Sequence, residues 1–180
     1  MLEQAGFLYR IEVSDADEIM DQSVAPDELV QCNAKLKAEA VAKKSGSEIA
    51  VLGADTVVAV DGKIFGKPVD EADAVRMLTE LSGKAHHVLT GIALIYHSEV
   101  YTAVADTKVY FSRLAKNDIE RYISSGEPFG KAGAYAVQGR AAAFISRIEG
   151  SFSNVVGLPL FLLAETAKKA GVDLYGNDGT

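Results

Sequence analysis

Runs of apolar residues change their spacing along the chain, and each change marks a new element. Phe7 to Val13 alternates and predicts a strand, with Met1 to Ala5 before it as the last turn of a helix stopped by Gly6. Pro26 opens a helix expected to reach about Lys44, with Ser45-Gly46 as its stop. Ile49 to Val60 predicts a long strand, and Asp61-Gly62 turns it as a hairpin into Lys63-Ile64-Phe65. Asp70 is placed to cap a helix with apolar positions Ala74, Met77, Leu78 and Leu81, ended by Gly83. His87 to Tyr96 and Val100 to Phe111 follow as two antiparallel strands. Asn117 is expected to cap a short helix to Ser124. Gly126 to Gly139 reads as a glycine-rich functional loop, and Ala141 to Ile148 as another strand. Pro159 opens a final helix ending near Gly171, and Gly176 to Thr180 is expected to fray. Helix steps mixed with a hairpin pair predict an α/β fold with a mixed β-sheet flanked by helices.

A chain of 180 residues fits one domain, and its hydrophobic share of 48% fits a soluble globular protein. The net charge of -7 argues against a broad nucleic-acid footprint, which needs a basic face, but leaves room for a small anion held by local lysines. Cys32 is the single cysteine, so no disulfide framework or cysteine zinc site exists and a reduced, cytoplasmic setting is expected. No apolar run approaches the roughly 20 residues that span a bilayer, and no signal peptide is expected. A membrane is therefore not an expected partner.

The candidate chemistry starts in Val51-Leu-Gly-Ala-Asp55-Thr56-Val-Val. A lone carboxylate inside an apolar strand is costly to bury without a cation or charged partner, so Asp55 is a candidate metal ligand or general base. The neighbouring Thr56 hydroxyl is a candidate substrate contact, with a plain strand residue the equal alternative. Lys67, held in Gly66-Lys67-Pro68, suits a phosphate oxygen, although alone it reads as a solvated loop lysine. In the glycine-rich loop, Lys131 adds charge, Tyr135 can stack or pack, and Gln138 can read a base edge with its paired donor and acceptor. Glu127 there is a candidate metal ligand or a partner for Lys131. The helix from Pro26 carries Lys35 and Lys37, preceded by Asp15, Asp17 and Glu18, an acidic group able to supply a second metal ligand or simply a solvated approach to the helix. His86 and His87 lack partners at ligand spacing and read as structural.

Together, Asp17-Glu18, Ala34-Lys35-Leu36-Lys37-Ala38, Val51 to Val57, Gly66-Lys67-Pro68, Leu81-Ser82-Gly83, His86 to Gly91, Tyr122 to Pro128, Lys131 to Gly139 and Asn154 to Pro159 closely resemble the Maf family of nucleoside triphosphate pyrophosphatases. The resemblance covers nearly the whole chain. It implies an elongated α/β fold with a central cleft, similar to inosine triphosphate pyrophosphatases. It also implies hydrolysis of a nucleoside triphosphate to the monophosphate and pyrophosphate with a divalent cation, Mg²⁺ or Mn²⁺. Carried over, Asp55 becomes the general base and, with Glu18, a metal ligand. Lys37 and Lys67 fall to the triphosphate, where Lys131 is expected to add charge beside them, and Thr56 and Gln138 fall to base selection. The Lys131-Ala-Gly-Ala-Tyr135-x-x-Gln138-Gly form points to the dTTP and UTP branch over the one acting on 7-methyl-GTP. Family members begin with a strand and a Ser-x-Ser-Pro-Arg-Arg loop that this sequence does not contain. Residues 1–180 are therefore expected to be a single domain, N-terminally truncated relative to the family. That departure keeps open a nucleotide-binding regulator of septum formation with weak or no catalysis. A binding domain whose charged residues are only structural also remains, as does a homodimer.

Overall fold

The computed structural model describes residues 1–176, so the fraying expected at residues 177–180 lies outside them. In chain order the elements are helix α1 (Pro26–Ala42), strands β1 (Val51–Val60) and β2 (Lys63–Phe65), helix α2 (Glu71–Leu81) and strands β3 (Ala85–Tyr96) and β4 (Glu99–Phe111). Helix α3 (Lys116–Ile123), strand β5 (Ile145–Glu149) and helices α4 (Phe152–Val156) and α5 (Leu160–Ala170) complete them.

The strands form one sheet in the order β2-β1-β3-β4-β5, antiparallel at every pairing. The α/β class therefore holds, but the expected mixture of strand directions does not. The reason is positional. Asp61 and Gly62 take φ of 49° and 74°, which closes a tight turn and reverses the chain between β1 and β2. The crossover through α2 then makes β2 and β3 run the same way. The two flank β1, so they never become hydrogen-bonded neighbours.

Helix α1 packs on one face of β1 and β3 through Leu29, Val30, Asn33, Ala34 and Ala38. Its approach depends on two glycines in the strands beneath. A Cβ on Gly53 would collide with the Ala34 carbonyl, and one on Gly91 with the Val30 carbonyl. The main apolar core fills the other face, where Val58, Val88 and Val109 meet Leu78 and Leu81 of α2 and Ile119 of α3. The β1–β2 pairing covers only Val58 to Val60. Among the described residues no strand pairs with that side of β1 before Val58, so Ala54, Asp55 and Thr56 lie on an open strand edge.

Three expectations shift. Phe7 to Val13 is not a strand: Phe7 is buried, but Leu8, Tyr9, Ile11 and Val13 are exposed. Among the described residues its backbone finds no ladder, only bonds from the Phe7 N–H to the Leu2 carbonyl at 3.0 Å and from the Leu8 N–H to the Leu174 carbonyl at 2.9 Å. The strand expected from Ala141 begins at Ile145, because Arg140–Phe144 winds as a 3₁₀ turn whose first N–H groups bond the Glu127 carboxylate. Asn117 does not cap α3, whose N-cap is Ala115. The closing turn before Gly6 is present, with the Ala5 N–H on the Met1 carbonyl at 3.0 Å.

Candidate active site

Alternation along β1 sends Asp55 toward α1 and Thr56 toward the opposite face. Because the strand is open there, both line the same cleft, whose volume is about 310 Å³. Lys37, Lys67, Lys131, Tyr135, Gln138 and Gly157 complete its walls. Of the residues singled out from the sequence, Lys37, Asp55, Thr56, Lys67, Lys131, Tyr135 and Gln138 thus meet in one place.

Asp55 is only 7% exposed, and both its oxygens are occupied. Oδ1 receives the Lys37 ammonium at 2.6 Å, and Oδ2 the Asn33 amide at 3.1 Å. Lys37 also reaches Glu18 Oε1 at 2.9 Å, and Lys67 meets that same oxygen at 2.9 Å. An alternating chain Asp55–Lys37–Glu18–Lys67 therefore runs along the cleft. Burial alone would favour the neutral Lys37 amine, yet its bonds to Asp55 and Glu18 outweigh that and raise its pKa. For Glu18, burial favours the protonated acid, and the two ammonium groups outweigh it and lower the pKa.

On the other face, Thr56 Oγ1 lies 2.9 Å from Thr90 Oγ1. The Thr90 hydroxyl donates to the Asn154 carbonyl at 3.2 Å, so Thr56 must donate to Thr90 and keeps its lone pairs for the cleft. Asn154, fully buried in α4, donates to the Val88 carbonyl and to Thr107, each at 2.9 Å. This tie holds Val155, Val156 and Gly157 against the cleft.

The loop from Gly126 is fastened at two points. The Gly133 N–H bonds the Gly66 carbonyl at 3.0 Å, which sets Lys131 beside the Lys67 turn. Glu127 accepts from the Tyr122 hydroxyl at 3.0 Å and from the Arg140 N–H at 3.0 Å. Glu127 is thus neither paired with Lys131 nor turned to the acidic group at the cleft, and its role is to anchor the loop. Burial would raise its pKa, but these donors lower it. Tyr135 packs rather than stacks freely: its hydroxyl meets buried His86 Nε2 at 2.8 Å. Burial pushes the His86 pKa down to about 4, so it is a neutral core histidine, as its spacing indicated. His87 bonds Asp106 on the surface.

Lys35 and Asp15 do not join the site. Lys35 pairs with Glu39 on the exposed side of α1, and Asp15 pairs with Lys44. Sequence reasoning gave no role to Asn33, Thr90 or Asn154; the last two lie in segments that carry the family resemblance, but nothing in their spacing separates them from surface positions.

Among the described residues no cluster of three or more acidic, histidine or cysteine side chains is present to cage a metal. The donor set still fits a hard divalent cation. Asp55 and Glu18 both turn an oxygen to one point, where the Lys37 ammonium now sits between them. Mg²⁺ characteristically takes one or two carboxylates and draws its other ligands from water and substrate phosphates. No described helix is long and apolar enough to cross a membrane.

Residues 1–170 match the family model described as "Maf-like protein". The dTTP/UTP pyrophosphatase of Pelotomaculum thermopropionicum is 46% identical, covering 97% of this chain and 92% of that protein. That of Geotalea uraniireducens is 46% identical over 95% of this chain and 89% of its own length. That of Symbiobacterium thermophilum is 44% identical over 97% and 90%.

Proposed function

The chain belongs to the Maf-like protein family, and on that premise we propose that it hydrolyses dTTP and UTP to the nucleoside monophosphate and pyrophosphate. The observation that carries the reading is the buried Asp55 carboxylate on an open strand edge, in a cleft that Lys37, Lys67 and Lys131 also line.

Water attacks the α-phosphorus and forms the new P–O bond. The bond from that phosphorus to the α,β-bridging oxygen breaks, and pyrophosphate leaves with the electron pair. Asp55 takes the proton from the attacking water. Its bonds to Lys37 and Asn33 hold the carboxylate in place before the nucleotide arrives. Lys37 stays an ammonium at neutral pH, and with Lys67 and Lys131 it offsets the charge growing on the leaving pyrophosphate. Asp55 and Glu18 would hold a Mg²⁺ or Mn²⁺ ion, which when bound makes the phosphorus more electrophilic and neutralises phosphate charge.

Base choice falls to the opposite face. Thr56 offers an acceptor, and Gln138 offers both a donor and an acceptor. The ring N–H of thymine or uracil and one carbonyl beside it match the paired acceptor and donor of Gln138. The substrate is a free nucleotide rather than a nucleic acid, consistent with a net charge of -7. A cytoplasmic setting, where such nucleotides are made, belongs to the same reading.

Incubation with dTTP or UTP and Mg²⁺ or Mn²⁺ tests it. Monophosphate and pyrophosphate should appear in equal amounts. Release of inorganic phosphate with a diphosphate, or no product, would overturn the assignment.

A further inference from the structure

We propose that Asn33 is a positioning residue that locks Glu18 to Asp55, so that the two carboxylates face one cation and the triphosphate it accompanies. The inference rests on the function proposed above and extends it to a residue of α1 that the reaction itself does not consume.

Asn33 is 1% exposed, and its amide uses three hydrogen bonds. Oδ1 accepts the Ile19 N–H at 2.8 Å, and Nδ2 donates to the Ile19 carbonyl at 2.9 Å. The second Nδ2 hydrogen goes to Asp55 Oδ2 at 3.1 Å. These partners fix the amide orientation. If the amide were flipped, its oxygen would face the Asp55 carboxylate and a carbonyl, and its nitrogen would face an N–H.

The position of Ile19 gives this clamp its importance. Residues 7–21 carry no helix or strand, so no sheet or helix ladder fixes the backbone that bears Glu18. Ile19 follows Glu18 directly. Three residues on, Gln22 makes a second clamp, donating to the Ile64 carbonyl at 2.9 Å and accepting the Ile64 N–H at 3.0 Å. Asn33 is the clamp that also touches Asp55. One side chain therefore fixes the backbone beside the first carboxylate and an oxygen of the second. Lys37 touches both carboxylates too, but an ammonium on a flexible stem holds charge rather than direction.

Asn33→Leu removes all three bonds; Asn33→Ser is the second variant should leucine not fold. Three readouts are taken on the full chain: amide exchange over residues 14–22, Mn²⁺ binding by water-proton relaxation, and steady-state kinetics with dTTP. The expected result is faster exchange at Ile19, and Mn²⁺ binding weaker by about tenfold or more. kcat should fall by about tenfold or more while KM moves less than about threefold. In a Glu18→Gln background the same substitution should cost clearly less than in the parent, because the clamp then places only the Asp55 oxygen.

Unchanged exchange and unchanged Mn²⁺ affinity in the variants would overturn the proposal. So would kinetic losses that multiply fully with Glu18→Gln, or a parent protein that binds no Mn²⁺. A parent that binds Mn²⁺ through an Asn33-dependent site but releases no pyrophosphate would leave the clamp standing and remove the proposed function. Normal pyrophosphate release in Asn33→Leu would do the reverse.

Discussion

Asp55 has its two oxygens held by different partners, one an ammonium and one a neutral amide. Asp55→Asn keeps the shape and removes the proton acceptor. Turnover of dTTP should fall by roughly 10²–10⁴, the usual contribution of a positioned base, with an unchanged circular dichroism spectrum. Wild-type turnover in that variant would remove Asp55 from the chemistry. Gln138→Ala should change the ratio of kcat/KM among dTTP, UTP and GTP more than it lowers kcat for the best of them. His86 gives a prediction about pH. Its pKa falls from 6.5 to about 4 on folding, so below pH 6.5 the unfolded chain gains a proton that the native chain refuses. Stability should therefore drop between pH 6.5 and about 4, by on the order of 3 kcal/mol at the low end. Denaturant titrations of His86→Phe across that range should lack this part of the slope. Asp55 was legible in the sequence because it is out of place, an acid among strand-forming residues, whereas Lys67 alone reads as a solvated loop lysine and only the family resemblance puts it at the triphosphate. Asn33 and Asn154 were not, since an amide in a helix looks the same whether it faces water or a buried carboxylate.

Between elements, the decisive contact is α1 on β1 and β3. Gly53→Ala should push α1 off the sheet and cost about 1–3 kcal/mol in urea unfolding. Gly46→Ala meets no atom within 4 Å and should stay near zero. Glu127→Ala should free the loop that carries Lys131 and Gln138, raising KM for dTTP and speeding amide exchange at Arg140 and Ala141. α1, β1, β3, β4, α2 and α5 were readable because their periods run long enough to be distinct, and the short β2 because Asp61-Gly62 marks a hairpin turn. Phe7 to Val13 has the alternation of a strand, but a strand also needs a neighbour to complete its hydrogen bonds, and alternation says nothing of that. Helix α4 escaped notice because five residues are too few to show a period. The antiparallel sheet was hidden for a different reason: the direction of each strand follows from which strands lie side by side, and local sequence does not specify that.

For the whole molecule, ligand binding and stability are linked. With Asp55→Asn to prevent consumption, dTTP and Mg²⁺ at about 100 times Kd should add about 2.7 kcal/mol. That corresponds to a rise in Tm of roughly 5–10 °C for a chain of this size. An unmoved Tm would mean that the cleft does not take the nucleotide. Asp55 and Thr56 are consecutive on β1, and the strand sends them to opposite walls of the cleft, which in the proposed function gives one the chemistry and the other the choice of base. The division of labour is thus a matter of parity. Inserting one residue at Gly53 would hand the acid to the selecting wall and a hydroxyl to the hydrolytic one, leaving composition almost intact and both tasks undone.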